Sequence, residues 1–84
     1  MSKEEFKKIV NEGIDRSKNF MVVKIQSFER SNPTIVIIQG EDIGKTAKSY
    51  LDLTAEGMVF QDSLDVITDV LLTSNLNDLS WFAY

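Results

Sequence analysis

Two apolar runs, Phe20-Met-Val-Val-Lys-Ile-Gln-Ser-Phe28 and Thr34-Ile-Val-Ile-Ile-Gln39, are separated only by Glu29-Arg30-Ser31-Asn32-Pro33. Both runs are rich in β-branched and aromatic residues, which suit a pleated surface better than a helix. The polar break ends in Asn-Pro, a turn signal, so the pair reads as an antiparallel hairpin. Side chains alternate along a strand, which puts Met21, Val23 and Ile25 on one face and Phe20, Val22, Lys24, Gln26 and Phe28 on the other. The first set is the expected core face. In the second strand Ile35 and Ile37 oppose Val36 and Ile38, and both faces are apolar. Such a strand is either central in its sheet or meets a partner on its outer side.

The material around the hairpin reads as covering or extending it. Ser2–Lys18 is an amphipathic helix: Ser2 and Glu5 form a capping box, and Phe6, Ile9, Val10 and Ile14 fall on one side. Gly13 interrupts that stripe and is expected where the helix approaches the sheet closely. Gly40–Thr54 has two readings. Ile43, Ala47, Tyr50 and Leu51 fit a helix, whereas Leu51 and Leu53 against Tyr50, Asp52 and Thr54 fit a strand. Gly40 and Gly44 tip the choice to a turn followed by a third strand over 48–54, then a turn at Ala55–Gly57 and a fourth strand, Met58–Gln61. Asp62–Ser74 reads as a second helix, with Leu64, Val66, Ile67, Val70 and Leu71 in a broad apolar arc. Asp62, Asp65 and Asp69 lie opposite, with Leu72 stray among them. The end of the chain carries Leu76, Leu79, Trp81, Phe82 and Tyr84, and is expected to dock on its own domain or on a partner. The resulting expectation is a single α+β domain over 1–84: an antiparallel β-meander of three to five strands, with an N-terminal and a C-terminal helix packed on one face.

Composition narrows the chemistry. The chain of 84 residues contains no Cys and no His, which removes thiolate catalysis, zinc–thiolate sites and the usual general base near neutral pH. An enzyme is therefore the minority expectation, and no cofactor or metal is expected. No apolar run approaches the ~20 residues of a membrane span. The acidic, helix-forming start is unlike a secretory signal, so cytoplasmic residence is the default expectation.

One motif invites a chemical reading. Gly40-Glu-Asp-Ile-Gly44-Lys45-Thr46 follows a hydrophobic strand and looks like the phosphate-binding loop of nucleoside triphosphatases. It is one residue too short between the glycines, and Glu41 and Asp42 would put negative charge where phosphate should sit. A loop with a solvated Lys45 and Thr46 is the expectation. The acidic stripe Asp62, Asp65 and Asp69, with Asp52 and Glu56 nearby, could in principle offer oxygen ligands to a divalent cation. A single straight helix converges too few of them, and a solvated face is expected.

Charge is distributed unevenly. Up to Lys48 there are nine basic and seven acidic residues, a net +2; from Ser49 onward there are six acidic and no basic ones, a net −6. The total of −4 argues against direct binding to nucleic-acid backbone or anionic membrane. The expected function is that of a small acidic, non-enzymatic protein-interaction module, acting through a sheet edge or the aromatic C-terminal tail, with a homodimer favoured. The alternative is an acidic inhibitor of the phage type, which imitates nucleic acid and binds a nucleic-acid-binding protein. The candidate partner-binding residues across these readings are Asp52, Glu56, Asp62, Asp65, Asp69, Leu72, Trp81, Phe82 and Tyr84.

Overall fold

The structure, a computed structural model, describes residues 1–82. It is α+β. In chain order the elements are α1 (Lys3–Asp15), β1 (Phe20–Gln26), β2 (Thr34–Gln39), α2 (Asp42–Leu53), β3 (Thr54–Ala55), β4 (Val59–Phe60) and β5 (Val66–Thr73). A 3₁₀ turn (Leu76–Asp78) and a short helix α3 (Leu79–Phe82) follow. The five strands form one antiparallel sheet in the order β2-β1-β5-β4-β3.

The N-terminal helix forms for the reasons its sequence carries. Ser2 accepts the Glu5 N–H at 3.0 Å, and its hydroxyl donates to the Glu5 carboxylate at 3.3 Å. Phe6 and Val10 are buried, while Ile14 at the end of the stripe is 46% exposed. The helix closes in a Schellman turn: the Lys18 N–H donates to Gly13 O and the Ser17 N–H to Ile14 O, each at 3.0 Å. That turn holds Ser17 at φ +56°, a left-handed conformation that disfavours any side chain. Ser17→Gly is accordingly expected to raise stability by up to about 1 kcal/mol, read as an upward shift of the thermal midpoint.

The hairpin forms with the expected faces. Met21 and Val23 of β1 and Ile38 of β2 enter the core cluster, with Ile25 and Val36 packed against it. Phe6 and Val10 of α1 join from above, as do Ile43 and Ala47 of α2. The two long helices thus share one face of the sheet, with α1 over β5 and α2 over β2. No helix among the described residues is long and apolar enough to cross a membrane.

Three expectations are corrected. Gly40–Thr54 holds a helix where a turn and a third strand over 48–54 were expected, so only Thr54 of that strand is extended, as the first residue of β3. The repeat Ile43, Ala47, Tyr50, Leu51 outweighs Gly44, which sits exposed in the first turn with open space around it. The expected C-terminal helix over Asp62–Ser74 is instead β5, an eight-residue strand beside β1 in the middle of the sheet. A β-bulge explains the resemblance. The register runs Lys24↔Asp69 and then Ile25↔Ile67, so Thr68 is the extra residue. Ile67 and Val70 therefore both face the core although they are three apart, and a strand acquires helix-like spacing. Finally, the sheet is not a meander: α2 carries the chain from one edge strand, β2, to the other, β3.

The far face of the sheet has its own cover. Val22 points away from the helices yet is fully buried, and Phe82 is 3% exposed. The Lys24 ammonium, on the same face as Val22, lies 4.8 Å from the Phe82 ring centroid. A polar turn returns the chain to this position. Thr73 donates to Asp78 Oδ2 at 2.7 Å and accepts the Asn75 N–H at 3.0 Å, while Asn75 Oδ1 caps the 3₁₀ turn through the Asn77 N–H. The segment 74–82 thus folds back on its own sheet, where Phe82 closes over β1.

Candidate interaction surface

The edge strand β2 is the least protected element of the fold. Its pairing with β1 determines which way its backbone groups point. The Gly40 N–H donates to Asn19 O at 2.8 Å, and these two residues extend the β1–β2 register one step beyond Phe20↔Gln39. They form a hydrogen-bonded pair, and such pairs alternate with non-bonded ones along an antiparallel ladder. Ile38, Val36 and Thr34 therefore direct their N–H and C=O groups to β1. Ile35, Ile37 and Gln39 direct theirs outward, where no strand among the described residues pairs with them.

Side chains reinforce the exposure. Ile35, Ile37 and Gln39 lie on the sheet face away from the two long helices, and Ile37 is 42% exposed. Thr34–Gln39 contains no charge, no proline and no bulge, the devices by which natural edge strands avoid pairing with other chains. The opposite edge contrasts with it: β3 is two residues long, too short to template much.

A second feature lies at the hairpin end of the sheet. Phe28, 77% exposed, stands at a cleft of about 550 Å³ whose lining includes Ile25, Arg30, Thr34, Ser63 and Asp65. Gln26 orders the hairpin loop by donating to Ser27 O and Arg30 O, both at 2.8 Å. Leu64, in the β4–β5 loop, is 62% exposed at φ +63°.

The residues singled out from sequence do not converge. Asp52 is exposed on the last turn of α2, Glu56 lies in the β3–β4 turn and Asp62 in the β4–β5 loop. Asp65 is half-buried in the lining of the hairpin-end cleft, whereas Asp69 is exposed on β5 opposite Lys24. Because 66–73 is a strand, Asp62, Asp65 and Asp69 share no helix face. Among the described residues no three carboxylates come together as a metal ion would require. Leu72 is not stray: it faces inward beneath Gly13 and packs against the core. Phe82 is buried within the chain. Trp81 belongs to α3, but its side chain lies outside what the structure describes, as does Tyr84.

The segment resembling a phosphate-binding loop has the strand-then-helix order but not the loop. Only Gly40 and Glu41 separate β2 from α2, and Gly44, Lys45 and Thr46 are already helical. Two residues cannot wrap successive N–H groups around a phosphate. The sequence reading missed the outward half of the β2 backbone, although the signal for it was present: an uncharged, β-branched strand with both faces apolar. Compared with models of protein families, with curated proteins and with solved structures, the chain has no match.

Proposed function

We propose that this chain is a protein-interaction module that binds an extended polypeptide segment along the free edge of β2. The observation that carries the reading is the row of outward N–H and C=O groups at Ile35, Ile37 and Gln39 on a strand with no protective charge, proline or bulge. An added strand pairs with such a row through main-chain hydrogen bonds, and alternate side-chain positions supply selectivity. Here those positions are apolar: Ile35 and Ile37 on the outer face, with Val36 on the core side. Sequence reading placed the interaction at a sheet edge or at the aromatic tail. The burial of Phe82 supports the edge. The module acts by contact and not by turnover, in keeping with a chain that has neither imidazole nor thiol.

The test is to select binders from a library of short random peptides and to follow amide hydrogen exchange by NMR. Bound peptide is expected to slow exchange at Ile35, Ile37 and Gln39, and Ile37→Pro is expected to abolish binding. That variant removes one outward N–H and leaves the ladder to β1 intact. Protection confined to β3 or to the α1–α2 groove would refute the assignment.

A further inference from the structure

We infer that the segment occupying this edge is β2 of a second copy of the same chain, paired antiparallel across a two-fold axis through Ile37. The inference rests on the β2 edge being the interaction surface, and it commits that surface to one occupant. Its basis is self-complementarity. The outward residues are symmetric about Ile37, so placing Ile37 on the axis pairs Ile37 with its counterpart and Ile35 with Gln39 at both ends. Each hydrogen-bonded antiparallel pair exchanges two bonds. That single register therefore uses every outward N–H and C=O of Thr34–Gln39 on both copies.

Neighbouring registers fail for reasons visible in the chain. A slip by two residues in one direction sets Gln39 opposite Pro33, which has no N–H to give. A slip the other way sets Ile35 opposite Glu41, whose backbone is helical at φ −63°, ψ −23° and cannot extend the ladder. A one-residue slip sets Ile37 opposite Val36 or Ile38, whose N–H and C=O are already committed to β1. The register is thus confined from both ends.

Charge is compatible with the antiparallel sense and opposes the parallel one. The acidic pair Glu41 and Asp42 follows β2 directly. Antiparallel pairing holds the two such pairs at opposite ends of the interface, whereas parallel pairing would set them side by side. Between the ends there is no charge to repel, and Val36 of one copy adjoins Ile38 of the other on the core side. The product is two five-stranded sheets joined into one continuous sheet, with both vulnerable edges removed. A small domain with a limited core gains from such a closure.

Sedimentation equilibrium on the full chain, from micromolar to millimolar concentration, tests the inference. The wild type is expected to move from 9.5 kDa to twice that mass. Ile37→Lys and Ile37→Pro are expected to stay monomeric with unchanged amide spectra; the lysine variant keeps the backbone donor, so it serves if the proline variant does not fold. The chain has no cysteine, so Ile37→Cys is expected to oxidise to a covalent dimer faster than a Ser31→Cys control. A dimer indifferent to both Ile37 variants, or a wild type monomeric throughout, overturns the second-copy assignment. In the monomeric case, peptide-induced protection at Ile35, Ile37 and Gln39 would leave the edge reading standing. Slow exchange at those amides in a free monomer would remove both.

Discussion

Replacing Phe82 by alanine is expected to destabilise the fold by about 3 kcal/mol, although the residue lies close to the end of the chain. A buried Phe truncated to Ala costs roughly 3–5 kcal/mol in a core; the lower figure applies because a four-residue helix can settle into part of the space. Two observations place Phe82 in this class. It is 3% exposed, and Val22, on the face of β1 turned away from the long helices, is fully buried. The Lys24 ammonium also loses the ring it stands over at 4.8 Å. For a domain of this length, 1 kcal/mol moves the thermal midpoint by roughly 4–8 °C, so a drop on the order of 15 °C is expected. Phe82→Leu should recover more than half of it. A change of only a degree or two would mean that α3 does not close the outer face. The substitution also separates two roles for an aromatic chain end, because an anchor for a partner would weaken binding and leave the melting curve alone.

Gly13→Ala is expected to lose about 2 kcal/mol, although alanine is the better helix former. In an exposed helix interior this exchange gains roughly 1 kcal/mol. Here a Cβ on Gly13 would overlap Leu72 at Cβ, Cγ and Cδ2. The Leu72 Cβ belongs to a strand held between β1 and β4, so the helix or the strand has to move. Overpacking of this kind costs typically 1–3 kcal/mol or somewhat more, which exceeds the propensity gain. Denaturant unfolding should show a lower midpoint at unchanged slope. The double variant Gly13→Ala with Leu72→Ala supplies the control. If the clash is the cause, adding Gly13→Ala to Leu72→Ala should cost nothing or stabilise, a non-additivity expected only of residues in contact. Stabilisation by the single variant would mean that α1 does not rest on β5.

Several parts of the fold were legible before any coordinates. The Ser2–Glu5 cap, the apolar stripe of α1, the hairpin and its inward residues Met21, Val23 and Ile25 all follow from local periodicity, and each recurs in the structure. The close approach at Gly13 was legible too, but its counterpart was not. Leu72 looked misplaced only because its segment was read as a helix. In β5 the inward residues Ile67 and Val70 stand three apart through the bulge at Thr68, and Val66 and Leu71 are apolar on the other face. Spacing alone could not separate that pattern from a helical arc. For α2 the error ran the other way. Two glycines outweighed a four-residue apolar repeat, although Gly44 in an exposed first turn costs a helix little that packing does not return.

The interaction surface divides in the same manner. That β2 was apolar on both sides, uncharged and free of proline could be read directly, and so could the absence of histidine and cysteine. Whether β2 lay inside the sheet or at its rim could not, because strand order depends on which distant segment takes the other side of β1. The pairing of β1 with β5, forty or more residues away, decided it.

Local sequence thus determined the cap and apolar stripe of α1, the hairpin and its faces, and the lack of any imidazole or thiol. These follow from backbone preference and side-chain period, which act over a few residues. Only the tertiary structure decided that 66–73 is a strand, that the carboxylates of the second half scatter, that Phe82 turns inward and that β2 keeps a free edge. Those outcomes depend on contacts between segments far apart in the chain, and no local period encodes which of two apolar strands will lie in the middle.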